Sequence, residues 1–422
     1  MVRKYRTYDE IRLIFDRYDV PSSLKMATRD TRQWGQPVVF YHISDTTNIA
    51  KLPLKKLLAH TKTKIELTTY LAQKILHAIP ENLCFVVAFG NQCRGTHQDM
   101  SHLDSEQEKA DTKLIMHALD PTNSGATSIH ICSPDTDVFV LSLRRYHDLC
   151  QDTSFVTGTG TKHRVIPLKP IVHAIGESKV AALPAFHALT GADNTGSLAG
   201  KGKLTCWKAF KAADHDIIRA MTDLGTNKTP SEVTLAGVEK FVCKMYQLQT
   251  SISKVSDLRW WLFKKKQEQS ERLPPTPDAL RQATLRAHYQ LMVWNSDTVA
   301  NPELPSPDGY GWKLDDEEWV PIMTEQLPAP NAVLHLVKCA CAESKCATNR
   351  CSCRKAGLNC TDLCSCSDRD DDGCENMEDE HEGVVGDCDD DDDDDDDDDC
   401  EYDENDIDYF DSDDDDGRMS SD

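Results

Sequence analysis

The chain has 422 residues, which accommodates one large domain or two ordinary ones, and it carries a net charge of −24. Residues 367–422 hold 32 Asp and Glu against two Arg, whereas residues 1–366 hold 45 Lys and Arg against 39 Asp and Glu. No apolar run approaches the roughly 18 residues of a membrane span and no secretory signal is recognisable. We therefore expect no membrane partner, and reduced or metal-bound thiols for the 17 Cys.

Four regions of different composition follow one another along the chain. Residues 1–250 mix strand-like and helix-like patterns, residues 251–330 predict helices interrupted by prolines and a linker, residues 331–376 are rich in cysteine, and residues 377–422 form an acidic tail. Strands that alternate with helices favour a parallel sheet, so we assign the first region to the α/β class.

The predicted elements begin with apolar, β-branched runs. NLCFVVAFG (82–90) and SIHIC (128–132) predict buried strands, and residues 105–121 predict a helix that stops before Pro121. In the second region, residues 273–294 open on prolines and continue as an amphipathic helix. The second region is thus expected to extend the first with helices.

Two aspartates stand where the strand-like run 128–132 gives way to helical spacing. Asp135 and Asp137 follow the Ser-Pro pair of SPDTDVFVL (133–141). Aspartate is a preferred helix N-cap, and capping explains a single acid at such a junction better than chemistry does. Two acids at one junction become candidate metal ligands only if further carboxylates reach the same place.

Three further acids stand at element junctions, namely Asp16 after IRLIF, Asp111 in EQEKADTKLI and Asp193 in HALTGADNTG. In a parallel α/β sheet, ligands collect beyond the carboxyl ends of the strands. Carboxylate clusters there suit Mg²⁺ or Mn²⁺, and two such ions can activate water and stabilise the leaving oxygen of a phosphodiester. Each acid alone is more often a cap or a turn residue, and only the ordered set favours a metal site.

The ordered set resembles that of the flap endonuclease branch of the PIN-like nucleases. The matching strings are IFDR with Asp16, EKADT with Asp111, PDTD with Asp135 and Asp137, and LTGADN with Asp193. The resemblance covers roughly residues 10–215. It implies a PIN-like (flap endonuclease-like) parallel sheet with helices, two Mg²⁺ or Mn²⁺ ions and the hydrolysis of branched or flapped DNA.

The same resemblance implies contacts with the DNA backbone at a glycine-rich turn that follows the acids. SLAGKGKLTCWKAF (197–210) lies at the matching distance. The residues that the resemblance places in the turn are Gly200, Lys201, Gly202 and Lys203.

The sequence departs from the family at two acid positions. The family's first carboxylate belongs to an earlier strand, which the fifteen residues before Asp16 do not contain. The partner of Asp111 is expected two positions earlier, where Lys109 stands; Glu108 is adjacent, but it also fits a capping box with Ser105. A lysine among metal ligands repels the cations, so a nuclease fold with a damaged site is the alternative.

Nine cysteines occupy 36 residues of the third region: Cys339, Cys341, Cys346, Cys351, Cys353, Cys360, Cys364, Cys366 and Cys374. The segment has too few apolar side chains to bury a core, and zinc contributes about 10–16 kcal/mol to the folding of small fingers. Two four-coordinate zinc ions use eight thiolates and leave one, whereas three ions use nine if three thiolates bridge.

A basic face suited to DNA phosphates surrounds the thiolates and comprises Lys338, Lys345, Arg350, Arg354 and Lys355.

The cysteine spacing resembles the tesmin-type CXC domain, which implies three structural zinc ions, nine thiolate ligands and an association with DNA and chromatin. Seven residues separate Cys366 from Cys374, a longer gap than the family has, and Arg350 stands where the family often has a tyrosine. More closely, most of the chain is similar to metazoan mobile-element proteins that join a nuclease-like body to a CXC module.

The acidic tail contains eleven consecutive aspartates at 389–399. Their charges lie about 3.5 Å apart along an extended chain, within the Debye length of about 8 Å, so their repulsion predicts a disordered segment. One interpretation is a solubilising tail. The other is an electrostatic mimic of nucleic acid that binds histones or competes for the basic body.

These patterns predict a nuclear, DNA-associated protein. If active, it is a Mg²⁺- or Mn²⁺-dependent, structure-specific DNA endonuclease with the candidate catalytic residues Asp16, Glu108, Asp111, Asp135, Asp137 and Asp193. The alternative is a catalytically inactive zinc protein, derived from a mobile element, that binds DNA or chromatin. A third hypothesis is an interaction protein that works through its acidic tail.

Overall fold

A computed structural model of the protein describes residues 8–20, 23–24, 39–48, 52–80, 83–192, 194–266, 272–316, 318–322, 324, 337–341, 346–361, 364–366 and 374–376. The chain divides into two compact units between residues 323 and 324. The candidate ligand Asp193, the basic residue Lys345, the predicted linker at 327–330 and the acidic tail lie outside the described residues.

The first unit begins with a three-stranded sheet in the order β1-β2-β3. β1 (Glu10–Ile14) pairs in parallel with β2 (Cys84–Phe89), and β3 (Gln92–Gly95) turns back and pairs antiparallel with β2. Two helices, α1 (Leu54–Leu57) and α2 (Thr61–Ala78), connect β1 to β2, and α2 packs on β2. The predicted strand at 82–90 is therefore confirmed, and its centre is buried on both faces.

A second three-stranded sheet repeats this pattern with β4 (Ser128–Cys132), β5 (Asp152–Thr157) and β6 (Arg164–Pro167). β4 and β5 are parallel, and β6 pairs antiparallel with β5. The mixed α/β class is confirmed. The expected single parallel sheet is not what the described residues form, because each of the two sheets combines one parallel and one antiparallel pairing.

Helices make up most of the rest of the first unit: α3 (Ala110–Asn123), α4 (Thr136–Arg144), α5 (Leu168–Ile175), α6 (Glu177–Leu189), α7 (Lys203–Lys211), α8 (His215–Asp223), α9 (Glu232–Tyr246), α10 (Val255–Lys266) and α11 (Pro277–Asn295). The side chains of Asp214, Ser231 and Thr276 accept first-turn N–H groups and begin α8, α9 and α11. A hairpin of β7 (Trp312–Asp315) and β8 (Glu318–Pro321) follows α11.

Two boundaries around the acids differ from the sequence-based expectation. The helix expected at 105–121 begins at Ala110 and continues through Pro121 to Asn123. The capping box between Ser105 and Glu108 is therefore wrong: the hydroxyl of Ser105 accepts from the N–H of Gln107, before the helix starts. The strand at 128–132 is real, but it lies largely at the surface, and Ile131 alone in it is buried.

Helix α6 lies at the centre of the helical layer and packs against α4, α8 and α11. Phe186 on α6 is fully buried. The loop after α11 is tied to the end of α4, because the guanidinium groups of Arg144 and Arg145 lie 2.7 and 2.6 Å from the carboxylate of Asp297, which is itself fully buried. The segment around α11 thus belongs to the same compact unit as the two sheets.

Within the described part of the chain, every helix is too short or too polar to cross a membrane.

The second unit contains one short helix, α12 (Ser352–Lys355), in its described residues. Its core consists of cysteine side chains, with Val337 packed beside them. A core built from thiols instead of aliphatic groups agrees with the shortage of larger apolar residues in this segment.

Candidate functional site

An acidic centre, formed by Asp111, Asp135 and Asp137, lies where two helices of the first unit begin. Asp111 is in the first turn of α3, Asp135 is the N-cap of α4, and Asp137 is in the first turn of α4. One carboxylate oxygen from each residue lies within 4.8 Å of the other two. The structure therefore brings together three of the six acids that the sequence singles out.

The Asp135–Asp137 pair caps a helix and also lies beside a third carboxylate. The carboxylate of Asp135 caps α4 by accepting the N–H of Asp137 at 3.0 Å. The same two residues also share the acidic centre with Asp111. Because the N-terminal ends of α3 and α4 carry partial positive charge, they stabilise negative charge at this point.

Lys109 supplies a cation to the acidic centre. It is the N-cap residue of α3, its side chain is almost completely buried, and its Nζ lies 3.4 Å from an oxygen of Asp111 and 3.6 Å from an oxygen of Asp137. Three carboxylates and one ammonium leave an excess of negative charge at this place. Burying unpaired charge is unfavourable, and all three carboxylates are buried or half-buried. That excess is what a divalent cation can neutralise.

His187, which the sequence analysis did not single out, contacts the acidic centre from α6. Its Nε2 lies 2.7 Å from Oδ1 of Asp137, and its Nδ1 lies 2.9 Å from Nζ of Lys203. The imidazole is buried and stacks on the indole of Trp294, with ring centroids 5.9 Å apart and planes 17° apart. No short motif marks His187, because its neighbours come from three separate helices.

Two other predicted acids have different surroundings. The carboxylate of Asp16 accepts the N–H of Ala110 at 2.8 Å, which stabilises the start of α3. The carboxylate of Glu108 accepts the hydroxyl of Ser23. Neither residue belongs to the group of three acids, which was found among the described residues only.

The basic turn, residues 200–203, leads into α7. Gly200 has φ of +70°, a left-handed conformation that glycine adopts without strain. The ammonium of Lys201 lies over the ring of Tyr246, 4.5 Å from its centroid, and the ammonium of Lys203 points inward to His187. The two glycines of the turn are exposed, whereas both lysines are half-buried and make specific contacts.

The cysteines of the second unit form three overlapping groups of four whose sulfur atoms lie within 4.8 Å of one another. The groups are Cys339, Cys353, Cys360 and Cys364; Cys339, Cys346, Cys351 and Cys360; and Cys346, Cys360, Cys366 and Cys374. Eight of the nine predicted ligands are thus brought together. The ninth, Cys341, is half-buried and packs beside the cluster.

The sulfur separations fit tetrahedral zinc. Thiolates bound to one zinc ion at about 2.3 Å lie about 3.8 Å apart. The Sγ atom of Cys339 lies 3.7 Å from that of Cys346, 3.9 Å from that of Cys360 and 3.6 Å from that of Cys366. The cysteine cluster can therefore bind zinc, and Cys360 belongs to all three groups.

Backbone and side-chain amides point at the sulfur atoms. The backbone N–H of Arg354 lies 3.5 Å from Sγ of Cys351, and the side-chain amide of Asn376 donates to Sγ of Cys360 at 3.3 Å. Burial raises the pKa of the Cys351 thiol, but the hydrogen bonds from the backbone N–H of Arg354 and from neighbouring thiols outweigh burial and lower that pKa. A thiolate at neutral pH is the form that binds metal.

The basic residues beside the cysteine cluster differ in their contacts. The side chains of Arg350 and Lys355 are exposed. That of Arg354 donates to the backbone carbonyl of Glu375 at 3.1 Å and so holds the segment that carries Cys374. Arg350 and Lys355, like the exposed Lys338, are therefore better placed than Arg354 to meet a phosphate.

Comparisons with family models, with curated proteins and with solved structures found no match for this chain.

Proposed function

We propose that this protein binds DNA and that its first unit is a Mg²⁺- or Mn²⁺-dependent endonuclease with a PIN-like, flap endonuclease-like fold. The observation that carries the proposal is the acidic centre, where Asp111, Asp135 and Asp137 converge at the start of two helices. Oxygen ligands from carboxylates suit hard divalent cations. The acids and the basic turn belong to the first unit, which α10, α11 and the hairpin of β7 and β8 extend.

Asp111, Asp135 and Asp137 would hold the cation, and a bound Mg²⁺ or Mn²⁺ activates water and offsets charge on a phosphodiester. His187 orients Asp137 through the hydrogen bond between Nε2 and Oδ1. The exposed glycines at 200 and 202 let a DNA backbone approach the basic turn closely, as they present no side chain. Lys203 brings positive charge to the boundary between that turn and the acidic centre.

The second unit supports DNA binding in a different way. Zinc ions held by the cysteine cluster, three in our proposal, would order residues 331–376 and fix the positions of Arg350 and Lys355. Exposed cations on such a rigid module attract phosphates. We further propose that the protein is nuclear, derives from a mobile element and contacts histones through its acidic tail.

A catalytically inactive DNA-binding protein is the second candidate, and Lys109 favours it. Its ammonium lies 3.4 and 3.6 Å from two of the three acids. A fixed positive charge at that distance weakens cation binding, because like charges repel strongly in a partly buried site.

Cleavage of a labelled flap DNA in Mn²⁺ by the zinc-loaded full chain tests the first candidate. The variant Asp135→Asn/Asp137→Asn is assayed in parallel, and gel-shift binding is measured on the same samples. The endonuclease proposal expects metal-dependent cutting that the variant loses while it still binds DNA. Binding without cutting by either protein would leave the inactive DNA-binding protein, and the absence of both would exclude the two candidates.

A further inference from the structure

Three side chains form a hydrogen-bonded relay from the basic turn to the acidic centre: Lys203, His187 and Asp137. The ammonium of Lys203 can only donate, so Nδ1 of His187 accepts and the ring proton lies on Nε2. That N–H donates to Oδ1 of Asp137 at 2.7 Å. The contact between Lys203 and the imidazole therefore determines which ring nitrogen carries the proton, and it leaves that proton on the nitrogen that faces the acid.

The middle of the relay is held rigidly. His187 is 2% exposed, and its ring lies nearly parallel to the indole of Trp294, which is 0% exposed. Stacking between α6 and α11 prevents the imidazole from turning away from Asp137. A change at Lys203 is consequently transmitted as a change in the hydrogen bond to Asp137.

Lys203, the outer end of the relay, lies next to the protein surface. Lys203 is the first residue of α7 and directly follows the exposed Gly202. The first turn of a helix presents N–H groups to anions. Because Lys203 is the first residue of α7, its side chain also originates in this first turn. A phosphate at the basic turn would compete with Nδ1 of His187 for this ammonium.

We propose that the relay couples phosphate binding at the basic turn to divalent-cation binding at the acidic centre. This inference rests on the proposed function. When Lys203 turns to a phosphate, Nδ1 of His187 loses its ammonium donor and the imidazole donates less strongly to Asp137. The Asp137 oxygen then becomes a better cation ligand, so DNA at the turn strengthens cation binding, and by thermodynamic linkage the cation strengthens DNA binding.

The test compares Mn²⁺ affinity with and without a 20-base-pair duplex, with free Mn²⁺ followed by electron paramagnetic resonance of the zinc-loaded full chain. The Mn²⁺ bound by the variant Asp135→Asn/Asp137→Asn is subtracted from the Mn²⁺ bound by each protein. This subtraction removes the Mn²⁺ that binds to the aspartate tail and to the DNA itself. Lys203→Gln breaks the relay at its outer end. Lys208→Gln removes an exposed lysine from the same helix and serves as the matched control.

We expect the duplex to raise Mn²⁺ affinity about tenfold in the wild type and in Lys208→Gln, and to leave it unchanged in Lys203→Gln. His187→Gln, whose amide can both accept and donate, is expected to keep part of the coupling, and His187→Phe none. Equal enhancement in Lys203→Gln and the wild type would overturn the inference and leave the endonuclease proposal standing. No Mn²⁺ binding that depends on Asp135 and Asp137 would overturn both.

Discussion

The ammonium of Lys109 lies 3.4 Å from a carboxylate oxygen of Asp111, inside the group of acids that is the best candidate for a cation site. Both side chains are largely buried, so the charge of Lys109 is poorly screened. We expect Lys109→Gln to raise the Mn²⁺ affinity of the acidic centre at least about tenfold, because a competing positive charge is removed. Titration of the zinc-loaded protein with Mn²⁺, relative to Asp135→Asn/Asp137→Asn, measures this change.

Lys313→Gln is the control for this prediction, since it removes an exposed lysine on β7. Its Mn²⁺ affinity should equal that of the wild type. If Lys109→Gln left the affinity unchanged or lowered it, Lys109 would be a structural partner of the acids and would not oppose the cation.

The sequence predicted the helix start at Asp135, but it placed Asp111 inside a helix expected from residue 105, whereas the structure begins that helix at Ala110. Only the order of the acids along the chain suggested that Asp111, Asp135 and Asp137 lie together, as they do in the structure. Short-range patterns of this kind are reliable where an Asp follows a strand and precedes an apolar periodic run, as Asp135 does. The spacing of the cysteines likewise predicted the clustering of the thiols that the structure shows.

The partners of these residues could not be predicted in the same way. His187 reaches Asp137 because α6 packs against α4, and it stacks on Trp294 because α11 packs against α6. Such contacts depend on helix packing, which leaves no local signal. The division into two sheets also depends on strand partners, and β3 and β6 turn back antiparallel through short connections that apolar patterns do not distinguish from parallel crossovers.

Asp16 is expected to act on stability more than on cation binding. Its carboxylate accepts the N–H of Ala110 at the start of α3, in the way that a cap does. Asp16→Ala should lower the free energy of unfolding of the first unit by about 1 kcal/mol, and Asp16→Asn should lower it less, because an amide oxygen still accepts. Denaturant unfolding measures both, while a large loss of Mn²⁺ affinity in Asp16→Asn would instead make Asp16 a cation ligand.

Zinc removal should unfold the second unit selectively. Cys360 belongs to all three thiol groups, whereas Cys341 belongs to none of those found among the described residues. Cys360→Ser should therefore lose more bound zinc than Cys341→Ser, and a chelator should expose the cluster thiols to a thiol reagent while the first unit keeps its unfolding transition. Zinc content per chain and thiol counts provide the measurements. If Cys360→Ser and Cys341→Ser lost equal amounts of bound zinc, Cys360 would not be shared among the three groups of thiols.

His117 is a buried histidine whose two ring nitrogens have no hydrogen-bond partner among the described residues. It is 2% exposed on α3, and burial, with a smaller contribution from Arg12, lowers the pKa of its imidazole to about 3. An unsatisfied buried polar group destabilises the folded state. His117→Met, which fills a similar volume with an apolar chain, should raise the free energy of unfolding by about 1 kcal/mol at neutral pH.

The same residue should make stability depend on pH below its ordinary pKa of 6.5. Above that value His117 is neutral in both the folded and the unfolded chain and contributes no pH dependence. Between pH 6.5 and pH 3 only the unfolded chain takes up the proton, so the free energy of unfolding falls by about 1.4 kcal/mol per pH unit because of His117 alone. Denaturant unfolding from pH 7 to pH 4 should show a shallower decline for His117→Met than for the wild type. The exposed control His173→Met should follow the wild type, and parallel curves for all three proteins would show that His117 takes up its proton in the folded state.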